Sequence, residues 1–204
     1  MVRLKIRPGM LLLPALLVLA LRPSIGAESS MKPPAVDYSA TMVRETSGRT
    51  SESKIFYSQN RVRSETVAGG HQRISIVDRD KHEMISLDPG TKTYFKMDLK
   101  GQADADPNDA PKYTPTLEGK EAIDGIETTK YSYAGTVQGM PYKGTTWVTK
   151  DNIALKTESS VEMNGQVIRT ISLLKNLHVE KQEASLFELP AGYSAMAVPG
   201  MPKQ

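Results

Sequence analysis

The 204-residue chain contains no cysteine, three histidines, one tryptophan and three phenylalanines. Without cysteine an exported chain has no disulfide to compensate for a small core, so the fold must rest on apolar burial alone. The histidines, His71, His82 and His178, stand apart in sequence with no His-x-x-x-His spacing, and there is no Gly-x-Ser-x-Gly elbow. Asp104, Asp106 and Asp109 lack both the ligand number and the glycine turn of a calcium loop. Carboxylates brought together from distant strands escape a reading of this kind, but no recognisable catalytic motif is present. The expectation is a protein without catalytic residues, cofactor or metal.

Also lacking is an apolar run long enough to cross a bilayer as a helix. The one sustained run, residues 10–21, follows Arg3, Lys5 and Arg7 and precedes the small residues Ser24-Ile25-Gly26-Ala27. This is the layout of a secretory signal peptide over residues 1–27, cleaved after Gly26 or Ala27. It predicts an exported, periplasmic protein. No cysteine follows the cleavage site to carry a lipid anchor, so no stable membrane insertion is expected after cleavage.

A lasting excess of charge is absent as well. The chain has 26 basic and 23 acidic residues, but Arg3, Lys5, Arg7 and Arg22 lie in the leader, leaving 22 against 23. The basic balance therefore belongs to the targeting signal, and a nucleic-acid partner is not expected.

What remains is rich in strand patterns. Residues 38–45, 54–59, 61–67, 72–78, 82–87, 93–99, 118–123, 126–133, 145–150, 153–159, 167–174 and 177–179 are enriched in β-branched and aromatic side chains and separated by turn residues. They predict roughly ten or eleven antiparallel strands. Asp124-Gly125 fits a two-residue hairpin and Asp151-Asn152 another compact turn. In Asp88-Pro89-Gly90-Thr91, proline presets φ at the second position and glycine accepts a positive φ at the third. Ile74 and Ile76 share one face opposite Arg73 and Ser75, while Phe95, Met97 and Leu99 oppose Tyr94, Lys96 and Asp98. No long segment keeps an apolar period near 3.6; short turns of helix are expected only at 183–187 and 111–115.

Three segments fall outside the strand pattern. Residues 28–35 read as a flexible N-terminal segment and residues 100–116 as a mobile loop, since 101–111 carries three acids, Pro107 and Pro111 but no large apolar side chain. Residues 194–204 form a tail, either free or docked back on the sheet. A single domain thus spans 36–193.

A sheet of so many strands accumulates twist and wraps into an open half-barrel, whose concave face must be filled by side chains, a helix or a ligand. Ile74, Ile76, Phe95, Met97, Trp147, Ile171 and Leu173 are the apolar strand positions expected to line it. A slip of one residue would invert any of these assignments. Met140, Met163, Met196 and Met201 supply thioethers suited to Cu(I), a remote alternative function.

The run Thr146-Trp147-Val148-Thr149-Lys150-Asp151-Asn152-Ile153-Ala154-Leu155-Lys156, followed by Ser185-Leu186-Phe187-Glu188-Leu189-Pro190-Ala191-Gly192-Tyr193, resembles the C-terminal half of bacterial proteins related to the lipoprotein carrier LolA. Ile123-Asp124-Gly125-Ile126-Glu127-Thr128-Thr129-Lys130-Tyr131 is similar to the preceding family hairpin, and the Phe-Glu-Leu-Pro-Ala-Gly-Tyr ending is similar to a periplasmic group of unknown function placed near that fold. The resemblance covers about residues 36–196. It implies a mainly β fold, a LolA-like half-barrel with little helix, and binding of a lipid, acyl chain or lipoprotein. A structural or protein-interaction role with an envelope partner is the alternative. The helices that plug the carrier's cavity, and its cavity arginine, have no matching motif here.

Overall fold

The structure is a computed structural model that describes residues 32–100, 115–137, 140–163 and 165–196. The expected signal peptide, residues 101–114 of the expected loop, the helical turn at 111–114 and Met201 lie outside the described residues.

Twelve strands are present: β1 Tyr38–Thr46, β2 Arg49–Ser58, β3 Arg61–Ala68, β4 His71–Asp78, β5 Glu83–Asp88, β6 Thr93–Asp98, β7 Thr116–Ile123, β8 Ile126–Val137, β9 Met140–Val148, β10 Ala154–Met163, β11 Gln166–Val179 and β12 Ser194–Ala195. A short 3₁₀ helix, Ala184–Phe187, falls where the only other helical turn was expected. All strands join one sheet in the order β12-β6-β5-β4-β3-β2-β1-β11-β10-β9-β8-β7. Neighbouring strands in this order pair antiparallel, except that β12 runs parallel to β6. The result is an open, strongly curved half-barrel.

Local chemistry explains the turns. Asp124 and Gly125 both take positive φ, 49° and 81°, which matches the twist of the hairpin they close. The Pro89 turn differs from expectation, because Gly90 is not in the positive-φ region and Lys92 is, at 50°. Asp88 is the cause: its Oδ1 accepts the backbone N–H of Gly90 at 3.0 Å and of Thr91 at 3.2 Å, so the left-handed residue moves to the end of the loop. The two segments expected at 167–174 and 177–179 are one strand, β11. A register shift opposite Ser39–Thr41 and the positive φ of Asn176, 50°, absorb the irregularity without ending the strand.

The start of the tail is part of the sheet. Ser194 N–H donates to the Lys92 carbonyl at 3.0 Å and Met196 N–H to that of Tyr94 at 2.7 Å. Gly192, at φ 82°, makes the tight turn that delivers Tyr193 and these residues to β6.

Two principal apolar clusters hold the fold. One groups Ile74, Ile76, Ile85 and Leu87 with Phe187, flanked by Phe56, Tyr94, Leu186, Leu189 and Tyr193. Leu87 and Ile76 are 0% and 1% exposed, each contributing about 1.5–3 kcal/mol of apolar burial. Arg63 fastens this layer, donating from Nη1 to the Leu186 carbonyl at 2.9 Å and from Nε to Glu65 at 2.7 Å. The second cluster groups Tyr38, Ala40, Ile55, Tyr57, Ile153, Leu155 and Leu174.

Candidate functional site

The two clusters lie on opposite faces. Direct pairing across β1–β6 puts Tyr38, Tyr57, Val62, Val77, Met84 and Met97 in one row, with Ala40, Ile55, Ser64, Ser75, Ser86 and Phe95 in the next row of the same face. The Ile74 cluster occupies the other face, where the 3₁₀ helix and residues 189–193 cover it.

Burial tells which face is concave. On β8–β11 the side chains sharing the Tyr38 face, among them Tyr133, Tyr142, Thr146, Thr170 and Leu174, are all buried. Nothing described packs over them from another layer, since the 3₁₀ helix contacts β3 and β4. Their neighbours on the opposite face, Lys143, Ala134, Arg169, Ile171 and Lys175, are exposed. A sheet that carries these buried side chains on one bare face, while on the other only Thr128 and Trp147 are buried among the described residues of β8–β11, has curled around the first. The Tyr38 face is therefore the inner one.

The inner face is graded from end to end. At one end, where β1 begins and β2 finishes, the Tyr38 and Tyr57 rings stack with centroids 5.3 Å apart, 15° from parallel. Pro34 and Val36 close this floor, with Tyr57 Oη donating to the Pro34 carbonyl at 3.4 Å and Val36 packed on the cluster. Burial raises the Tyr38 phenol to about 12 and pushes Tyr57 upward as well. Beyond the floor comes a band of hydroxyls that satisfy one another across strands: Ser53 with Thr66 at 2.6 Å, Thr146 with Thr157 at 3.2 Å and Thr46 with Thr170 at 3.2 Å.

Towards the other end, Tyr133 and Tyr142 meet, hydroxyls 3.2 Å apart. Gly144 makes room for them, because a Cβ there would stand 2.6 Å from the Glu158 carbonyl oxygen and closer still to the Tyr133 ring. Two guanidiniums also belong to this face. Arg44 donates from Nε to Ser172 at 3.3 Å, and burial lowers its pKa. Arg79, which follows Val77 by two residues at the floor, bears electrostatically on both stacked tyrosines.

Of the expected lining residues, Phe95 and Met97 lie on the inner face, opposite Ser86 and Met84. The other five do not. Ile74 and Ile76 project outward under the C-terminal segment, and register places Trp147, Ile171 and Leu173 outward as well. Ile171 is 39% exposed. Trp147 is buried by its own face: Nε1 donates to Glu121 at 2.9 Å, with Lys130 and Lys156 Nζ 5.1 and 4.5 Å from the ring. The indole hydrogen bond and Lys130 hold the Glu121 carboxyl below its ordinary pKa.

The error has one cause. The most apolar alternation was assigned to the concave face, whereas in β4 and β5 it serves the outer layer. A usable signal was present: Leu186, Phe187, Leu189 and Tyr193 need an apolar surface to cover, and Ile74 and Ile76 supply it. Tyr38, Tyr57, Ile55 and Leu174 were missed because they gather only when β1, β2 and β11 pair.

Met140 opens β9 and Met163 closes β10, but Met196 follows β12 beside β6, at the other side of the sheet. Among the described residues no group of three His, Asp or Glu side chains stands close enough to hold a metal ion.

Residues 39–166 match a family described as a domain of unknown function, DUF4412. No curated protein matches the chain. Among solved structures, an uncharacterized conserved protein from Thermus thermophilus is similar at TM-score 0.54 and 13% identity, over 79% of this chain and 90% of that one. The Mycobacterium tuberculosis lipoprotein LppX is similar at TM-score 0.39 and 10% identity, over 68% and 85% of the two chains. A chain of the Pseudomonas aeruginosa MucA/MucB complex gives 0.40 and 18%, over 78% and 56%. At these identities the likeness bears on fold, and the first carries it: the half-barrel is LolA-like.

Proposed function

This chain belongs to the DUF4412 family, and we propose that it is an exported, non-enzymatic binding protein of the cell envelope whose inner face receives the apolar chain of a lipid or lipoprotein. The observation that carries this reading is the concave face itself. It combines an apolar aromatic floor with a hydroxyl band in which three pairs already satisfy one another, so a chain laid along those positions strands few hydrogen-bonding groups. The sequence supports export through its leader. Purification of the mature protein from its native envelope, followed by extraction and mass spectrometry, tests the proposal. Copurifying lipid, together with a rise in thermal stability on adding that lipid, is the expected result; absence of both overturns it.

A further inference from the structure

Four of the arginines on the sheet contrast with one another. Arg63 pairs with Glu65 and the Leu186 carbonyl, Arg61 lies 4.8 Å from the centroid of the Phe187 ring, and Arg44 bonds to Ser172. Arg79 has no such partner. Its Nε is sealed from solvent without an acceptor, and among the described residues no hydrogen bond or ion pair of its side chain is found. A guanidinium N–H sealed in this way is costly, because burial removes water from Nε without replacing its hydrogen bond, while the rest of the half-buried side chain stays within reach of solvent.

The backbone nevertheless fixes the residue there. Arg79 N–H donates to the Asn60 carbonyl at 3.2 Å, and its own carbonyl accepts from His82 N–H at 3.4 Å, so the turns after β2 and β4 hold it jointly. Asn60, which accepts from Arg79, also bonds to the Tyr57 hydroxyl, so the turn brings Arg79 to the end of the sheet where Tyr38 and Tyr57 stack, and its charge bears on both phenols. Those phenols stay neutral at physiological pH and do not neutralise it.

We propose that Arg79, beside Tyr38 and Tyr57, is the anion-recognising end of the inner face, taking the negatively charged oxygen head of a single-chain amphiphile whose apolar tail runs along the sheet. A guanidinium suits this head because its fork donates two parallel hydrogen bonds to a carboxylate or phosphate. The Tyr38 phenol adds a donor without opposing charge, the Tyr57 hydroxyl being engaged already by Pro34 and Asn60. The proposal rests on the lipid-binding reading above and deepens it by naming the head-group chemistry.

The test uses the purified full-length mature protein at neutral pH and three probes of equal chain length, palmitate, cetyl phosphate and cetyl alcohol, each competing with a bound fluorescent apolar dye. At least one anion is expected to displace the dye about tenfold or more better than the alcohol, the size of one charge-assisted hydrogen-bond set. Which anion prevails separates a carboxylate head from a phosphate head. In Arg79→Met the preference disappears while alcohol binding persists, and the melting temperature holds or rises because a buried N–H without an acceptor has gone; Arg79→Lys keeps part of the preference. Equal binding of alcohol and anions to the wild type, or a preference that survives Arg79→Met, overturns this inference alone. A fall in melting temperature with loss of alcohol binding in both variants makes Arg79 a folding residue and overturns it too. Failure of all three probes on the wild type overturns the lipid-binding reading with it.

Discussion

The strands β3–β6 and β8–β11 are two parts of one sheet that bury opposite faces. In β3–β6 the buried apolar side chains, Ile74, Ile76, Ile85 and Leu87, point outward and are covered by the 3₁₀ helix and the segment reaching β12. In β8–β11 most of the buried side chains, Trp147 and Thr128 excepted, point inward and are covered by curvature. Apolar alternation identifies a buried face, but what buries it differs between the two parts. One face is a core made with the protein's own tail, and the other is enclosed by the sheet's own curvature.

The strongest way to break this contrast is to remove the tail's anchor. Phe187→Ala is expected to cost about 3–5 kcal/mol in denaturant-induced unfolding, because the ring fills the outer cluster. If this face is purely structural, lipid binding per folded molecule should be unchanged. On the inner face, Gly144→Ala pushes a methyl against the Tyr133 ring and the Glu158 carbonyl, with an expected loss of about 1–3 kcal/mol by the same measurement. Stability unaffected by this change would mean that the Tyr133–Tyr142 pair is not held as described.

A smaller effect is expected at alkaline pH. The Tyr38 phenol is raised from 10.0 to about 12, so its neutral form favours the folded state. That stability is present below pH 10.0 and is lost as pH rises towards 12, when the unfolded chain ionises first. Tyr38→Phe should therefore flatten this part of the pH–stability curve measured by thermal unfolding. The smallest effect concerns the exposed outer side of β7–β9. Glu121 has a lowered pKa, so its contribution is present above the ordinary glutamate pKa and fades as pH falls through the lowered one. Melting temperatures of wild type and Glu121→Gln should differ slightly at neutral pH and converge in acid.

Much of the fold was legible because strand signals are local. The Asp124-Gly125 hairpin, the Ile74/Ile76 alternation and the 183–187 turn each depend on neighbours in sequence, and each is found where expected. The candidate site was barely legible. Phe95 and Met97 were placed inward, but Ile74, Ile76, Trp147, Ile171 and Leu173 were not separable from them, since a period of two marks two faces without saying which is concave. Arg79 gave no sequence signal at all: an arginine in an Asp-Arg-Asp-Lys turn reads as solvated.

The sequence by itself determined an absence of disulfides and a succession of antiparallel strands, because cysteine counts and turn chemistry act over a few residues. Tertiary structure alone decided which face curls inward, that the tail's Phe187 uses the most apolar strands for its own cover, and that Arg79 faces two stacked tyrosines. Those outcomes depend on pairings between residues far apart in the chain, where twist summed over the whole sheet selects the inside.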